Sequence, residues 1–184
     1  PGHTISEKEV EDVLFKLVEN AKGRVIIATF SSLISRIQQI LNVAKKLNRK
    51  VAFSGRSMVA NVDVAASLEA LVIPPDTMID VADIGKLADN RVIIVCTGSQ
   101  GEERSALTRI AAGEHRQIRI QKGDTVVLSS SPIPGNERSV NDVMDNLFRE
   151  GARVIYQKLM DVHTSGHAYQ EDLKLMIGLI KPKF

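Results

Sequence analysis

The chain has 184 residues, 43% of them hydrophobic and 25% charged, enough for one domain with a sizeable core and unlike a disordered or fibrous chain. Its 24 Lys and Arg against 22 Asp and Glu leave a net charge of +2, which permits a local basic face without requiring a nucleic-acid partner. Cys96 is the single cysteine, so an internal disulfide is excluded and a reducing, cytoplasmic setting is expected. No apolar run approaches the roughly 20 residues needed to span a membrane, and no basic-then-apolar signal pattern opens the chain. The opening Pro1-Gly2-His3 and the close Lys181-Pro182-Lys183-Phe184, directly after a helical pattern, lead us to expect a domain excised from a longer protein.

In chain order, Thr4-Ile5-Ser6-Glu7 leads into Val10, Val13, Leu14, Leu17 and Val18, a helical spacing with hydroxyl caps and acids in the first turn, stopped by Gly23. Residues 24–30 read as a buried strand rich in β-branched side chains. Ser31-Ser32 is expected to open a second helix carrying Leu33, Ile34, Ile37, Ile40, Leu41 and Val43, with Lys45, Lys46, Arg49 and Lys50 as its solvated end. Residues 51–53 form a short second strand, Ser54-Gly55-Arg56-Ser57 a loop, and a third helix follows to about Leu71. Pro74-Pro75-Asp76 is a turn, and Val81, Ile84 and Leu87 mark a short helix. Residues 91–95 make the next strand, 105–112 a short helix, and 113–124 an edge strand or irregular chain. A strand over 124–128, a helix to about Arg149, a strand from Arg153 and a helix over 168–180 complete the chain.

Strand then helix, repeated about five times, predicts an α/β domain with a mostly parallel, Rossmann-like sheet covered on both faces. Ligands of such sheets bind beyond the carboxyl ends of the strands. The loops expected there are Ser31-Ser32, Ser54-Gly55-Arg56-Ser57, Thr97-Gly98-Ser99-Gln100-Gly101, Ser129-Ser130-Ser131 and His163-Thr164-Ser165-Gly166-His167. All are small, hydroxyl-bearing or glycine-rich, which suits phosphates and sugar hydroxyls held by donors rather than by strong charge.

Gly98-Ser99-Gln100-Gly101 resembles a phosphate-binding turn but lacks both the G-x-G-x-x-G spacing of dinucleotide folds and the Lys of a P-loop. Glu102 and Glu103 read as complements to the dipole of the following helix rather than a catalytic pair. His163 and His167 are four apart, yet Ser165-Gly166 places the first outside the helix, and neither an intervening Glu nor a third ligand is evident, so no metal site is expected within the chain. His3 and His115 read as isolated surface residues, and Cys96 as a packing residue of a buried strand end.

The run His163-Thr164-Ser165-Gly166-His167-Ala168, continued by Tyr169-Gln170-Glu171-Asp172-Leu173, resembles the second conserved motif of the β-CASP nucleases, most closely ribonuclease J. Phe30-Ser31-Ser32 with Arg36-Ile37-Gln38-Gln39, Ser54-Gly55-Arg56-Ser57-Met58, Thr97-Gly98-Ser99-Gln100-Gly101-Glu102 and Ser130-Ser131-Pro132-Ile133-Pro134-Gly135-Asn136-Glu137 resemble that family in the same order. The resemblance covers nearly the whole chain. It departs at Glu103, where a proline is expected, and in lacking the H-x-H-x-D-H metal motif.

The resemblance implies that residues 1–184 are a β-CASP domain inserted in a metallo-β-lactamase-type ribonuclease, which degrades RNA from the 5′ end and also cuts internally. His167 would be the catalytic histidine at the scissile phosphate. His163, Ser165, Gly166, Gly98, Ser99 and Gln100 would hold RNA phosphates. Zinc, or manganese or magnesium, would sit in the metallo-β-lactamase domain of the same chain and not in these residues. Single-stranded RNA with a 5′-monophosphate is the implied substrate, self-association a possible property, and a membrane no partner. A β-CASP factor acting on another nucleic acid, a nucleotide-binding Rossmann-like domain and a noncatalytic interaction domain are the alternatives.

Overall fold

The computed structural model describes residues 2–156, 160, 162–164 and 166–183. Helix α1 (Glu7–Asn20) starts on a capping box: Ser6 Oγ accepts the Glu9 amide at 3.2 Å and the Glu9 carboxylate accepts the Ser6 amide at 2.6 Å. Strand β1 (Val25–Ala28) follows, then α2 (Ile34–Lys46), β2 (Lys50–Ser54), α3 (Arg56–Ser67), β3 (Val92–Cys96), α4 (Ala106–Ala111), β4 (Thr125–Leu128), α5 (Glu137–Arg149), β5 (Arg153–Ile155) and α6 (Gln170–Ile180). Two local expectations change. Ser31-Ser32 forms a turn, and α2 begins at Ile34 behind Leu33, which has no side-chain cap. The helix foreseen near Val81 is a 3₁₀ helix, Val81–Lys86, capped by Asp80 Oδ1 on the Ala82 amide at 2.7 Å. The 113–124 stretch is irregular.

The five strands pair in parallel in the order β2-β3-β1-β4-β5, as the alternation of strands and helices predicts. Successive side chains of a strand point to opposite faces, so each strand feeds two cores. Val25 and Ile27 join Val51, Phe53, Ile93, Val95 and the buried sides of α1, α2 and α3. Ile26 and Ala28 join Ala52, Ile94, Cys96, Val126 and the buried sides of α4 and α5. Each fully buried Ile or Val here contributes roughly 1.5–3 kcal/mol. After α3 the chain rounds the β2 edge, where Met78 bridges Val51, and delivers Ile84 to the second core.

Charge is used at the amino end of the sheet in a way that the sequence reading missed. Arg49, placed above in a solvated helix end, is 6% exposed. Its guanidinium donates to Val18 O at 2.7 Å, Ala21 O at 2.6 Å and Gly23 O at 3.0 Å, carbonyls at and just beyond the end of α1. Arg24 and Asp124 form a buried bidentate pair at 2.9 and 2.6 Å that ties the starts of β1 and β4.

Candidate nucleic-acid interface

The register sets the carboxyl ends of the strands level. Ala28 lies beside Cys96 and Leu128, and Ser54 beside Cys96. The ladder runs one residue further, because the Thr29 amide donates to Cys96 O at 3.1 Å and the Ser129 amide to Ala28 O at 2.8 Å. The predicted loops therefore do emerge along one edge.

Under the middle of that edge sits Arg36, wholly buried on α2. Its Nε donates to Gln39 Oε1 at 2.8 Å and its Nη2 to Glu7 Oε2 at 3.0 Å; Nη1 donates to Val162 O at 2.7 Å and to Ser129 Oγ. Ser129 Oγ also donates to Val162 O at 2.5 Å, and Gln39 Nε2 to Glu7 Oε2 at 2.9 Å. Burial pushes the Glu7 carboxyl up, but the bonds from Arg36 and Gln39 outweigh it and hold the group below its usual 4.5. One network thus joins α1, α2, the end of β4 and the peptide just before His163.

The Thr97–Gly101 turn is joined to its neighbour by Gln100. Its amide donates to Ser130 Oγ at 2.9 Å and Ser131 O at 2.8 Å, while its carbonyl accepts the Ile133 amide at 2.8 Å. Both ends of this side chain are engaged within the protein, so Gln100 braces two loops. Gly98 has φ +112°, and a Cβ there would meet Leu107 Cβ at 2.8 Å and collide with the Ser105 hydroxyl. At Gly101, φ +68°, a Cβ would meet the Ser139 carbonyl carbon at 2.5 Å, so only glycine lets the turn lie against α5. Glu102 does not serve the α4 dipole as expected. The helix starts at Ala106 with Ser105 as cap, and the Glu102 carboxylate instead accepts the Gln100 amide at 3.1 Å.

Of the predicted residues, Ser99 and Gln100 are brought against Ser130 and Ser131, Gly98 lies against Ser105 and Leu107, and His163 follows the peptide tied to Ser129. Gly166 and His167 are exposed just before α6, and the His167 carbonyl accepts from Thr4 Oγ1 at 3.3 Å. Ser165 lies outside the described residues. Buried polar atoms of Thr29 (Oγ1), Ser99 (Oγ) and His163 (Nδ1) have no partner among the described residues. Such atoms are rare in a folded protein, and these three lie on the loops of one edge. Burial, and then the Arg36 charge, keep the His163 imidazole below its usual 6.5 against the opposing pull of Glu7, so it is neutral at pH 7. Asp172 gathers the segment before α6. It accepts the Thr4 amide at 2.9 Å, His3 Nδ1 at 2.9 Å, Thr4 Oγ1 at 2.7 Å and the Tyr169 amide at 3.1 Å, and these bonds hold it well below the usual carboxylate range.

Two readings of single residues are settled by burial. Cys96 is fully buried and its thiol is pushed up to about 12, which suits packing and not attack. His115 is not a surface residue: it is 6% exposed and bonded to Ser54 Oγ at 3.0 Å. Among the described residues no three His, Cys, Asp or Glu side chains group as a metal site.

The profile of the ribonuclease J β-CASP domain matches residues 22–147, more than half of the chain. The chain belongs to that family. This β-CASP sequence is 47% identical over 183 residues to ribonuclease J of Helicobacter pylori, covering 100% of the chain and 26% of the relative. It is 46% identical over 184 residues to ribonuclease J 1 of Streptococcus pyogenes, with 100% and 33% covered, and 45% identical over 184 residues to ribonuclease J of Thermus thermophilus, with 100% and 32% covered. The chain spans about a quarter to a third of the length of these curated relatives. The β-CASP edge is thus built from Arg36, Glu7, Gln39, Thr29 and Ser129 as well as from the foreseen loops. One signal for Arg36 was available: an arginine in register with Ile40 and Val43 on an otherwise apolar stripe has to be paired if it is buried.

Proposed function

We propose that this chain is the RNA-binding β-CASP part of a longer, metallo-β-lactamase-type, zinc-dependent ribonuclease, acting in RNA decay and processing in the cytoplasm from 5′-monophosphate ends and at internal sites. In this reading His167 reaches the scissile phosphate, where it stabilises developing charge or protonates the leaving oxygen. Ser165, Gly166 and His163 seat the neighbouring phosphate, with His163 neutral and therefore a hydrogen-bonding group. Gly98 and Ser99 contribute from the adjoining turn and Gln100 keeps that turn in place. Zinc, or manganese or magnesium in its stead, belongs to the metallo-β-lactamase part of the protein.

The observation that carries this reading is the edge itself: level strand ends, hydroxyl and glycine loops, and buried donors without partners, in a chain of this family. Helix α6 supports a covering partner. Leu173, Leu175, Met176, Ile177, Leu179 and Ile180 are each at least half exposed. At about 100° per residue they point to both sides of the helix, the pattern of a helix enclosed by other protein. Self-association of the parent stays part of the proposal.

The test is fluorescence anisotropy with short single-stranded RNA at low salt, comparing 5′-monophosphate with 5′-hydroxyl ends. The expected result is a preference for the phosphate that Ser165→Ala removes. Equal affinity for the two ends, unchanged by that substitution, would refute end recognition by this chain.

A further inference from the structure

The opposite end of the same edge holds a second group of donors that the reading above does not use. Strand β2 ends at Ser54, and Gly55 alone connects it to α3. Beside this connection lies a cavity of about 520 Å³ lined in part by Ser54, Gly55, Arg56, Asp63, Arg109 and His115. A neighbouring cleft of about 740 Å³ shares Gly55, Arg56 and Arg109 and adds Arg104, Glu102 and Glu103.

Three sets of donors meet there. Arg109 Nε is buried and has no partner among the described residues. Ser54 is 4% exposed, and its hydroxyl is a spare donor for a reason that the tautomer of His115 supplies. His115 Nδ1 accepts the amides of Gln117 at 3.3 Å and Ile118 at 3.1 Å, so the ring proton is on Nε2. Nε2 then donates to Ser54 Oγ at 3.0 Å, and the Ser54 proton is left to be given elsewhere. Burial, with Arg109 and Arg119 nearby, keeps His115 neutral and fixes this arrangement. The third set is the first turn of α3. The first intrahelical bond is Val59 N to Gly55 O at 3.0 Å, Gly55 caps with no side chain, and the amides of Arg56, Ser57 and Met58 have no partner among the described residues.

The charges complete the picture. Arg56, Arg104 and Arg109 have no ion pair among the described residues. Against them stand Asp63, Glu103 and Glu102, and the last already accepts the Gln100 amide. A buried hydroxyl donor, a guanidinium edge and a helix N-terminus converging on a cavity are the recognition chemistry of a phosphate oxyanion.

We propose that the β2 end of the edge is a phosphate subsite for an internal phosphodiester of the same RNA strand whose 5′ end is held near His163 and Gly166. This rests on the RNA-binding reading above. Strands β2 and β5 are the outer strands of the sheet. The peptide before His163 is tied to Ser129 at the end of β4, so three strand spacings of about 4.8 Å put the two subsites roughly 14 Å apart. An extended strand bridges that gap with several nucleotides, and a dinucleotide does not.

The experiment measures anisotropy of the chain with a 5′-phosphorylated RNA dinucleotide and decanucleotide across a salt series, with inorganic phosphate as competitor. The variants are Arg56→Gln, Arg109→Gln and Ser165→Ala, each first shown by circular dichroism to melt as the parent does. Arg56 is exposed, so its variant keeps the test alive if Arg109→Gln fails to fold. The expected result is about tenfold weaker decanucleotide binding for either arginine variant, a salt slope shallower by about 0.7, and unchanged dinucleotide binding. Decanucleotide binding that Ser165→Ala weakens and both arginine variants leave intact would overturn the subsite while sparing the RNA reading. An arginine effect on competition by inorganic phosphate alone would make this a free-anion site and also overturn it. No RNA binding at any salt would overturn both.

Discussion

Replacing Arg36 by methionine tests whether the buried network is a structural bolt or an incidental contact. Methionine keeps the length and apolar stem of the side chain, so cavity formation is small. The loss can be followed partner by partner. Val162 O keeps its bond from Ser129 Oγ, and Ser129 keeps Val162. Glu7 keeps Gln39 Nε2, and its side chain is 41% exposed, so water can solvate it. Gln39 Oε1 loses its donor in a residue only 8% exposed, which costs about 1–3 kcal/mol. The lost attraction between Arg36 and Glu7, discounted for solvent at Glu7, adds about 1 kcal/mol. The expected destabilisation is about 3 kcal/mol, or a urea midpoint lower by about 1.5 M at a slope of about 2 kcal/mol/M. The sign with pH follows from Glu7. A carboxyl held below its usual value stabilises the fold above about 4.5 and loses that contribution as pH falls through its folded value, so the gap between parent and variant narrows at low pH. The His163 resonance would titrate at higher pH in the variant, since the Arg36 charge is one of its depressing causes. A loss under about 1 kcal/mol, or a gap independent of pH between 6 and 3, would refute this account of the network.

Gly101→Ala should cost roughly 3 kcal/mol by combining left-handed strain with collision against the α5 backbone, whereas Gly85→Ala, with nothing within 4 Å, should change thermal stability little. Asp124→Asn leaves Arg24 buried beside a neutral partner and should cost about 3–5 kcal/mol, while the double change Arg24→Met with Asp124→Leu should cost less; a larger loss in the double variant would contradict the buried-pair argument. His115 and His163 are both held below 6.5. The unfolded chain takes up protons that the folded one refuses, so stability should fall as pH drops from about 6.5 toward 5. His115→Asn should flatten that fall in urea midpoints, and an equally steep fall would argue against a neutral buried His115.

The alternation of β-branched strands with amphipathic helices determined the parallel sheet, because a residue period of two or of 3.6 is written in the chain itself. The glycine and hydroxyl loops were legible too, since sheet direction alone sends every strand-to-helix loop to one edge. Composition placed Lys45, Lys46, Arg49 and Lys50 together as a solvated end, yet only the approach of α1 turned Arg49 inward onto three carbonyls. His115 looked solitary because its partner, Ser54, is 61 residues away. Arg36 and Val162 are 126 residues apart, and Arg24 and Asp124 are 100 apart. Local pattern carries periodicity and turn chemistry; it carries no information on which distant polar groups will share a buried space. Those pairings arise only when the sheet order fixes which strand ends are neighbours. Burial then decides whether a charge is solvated, paired or left waiting for a ligand.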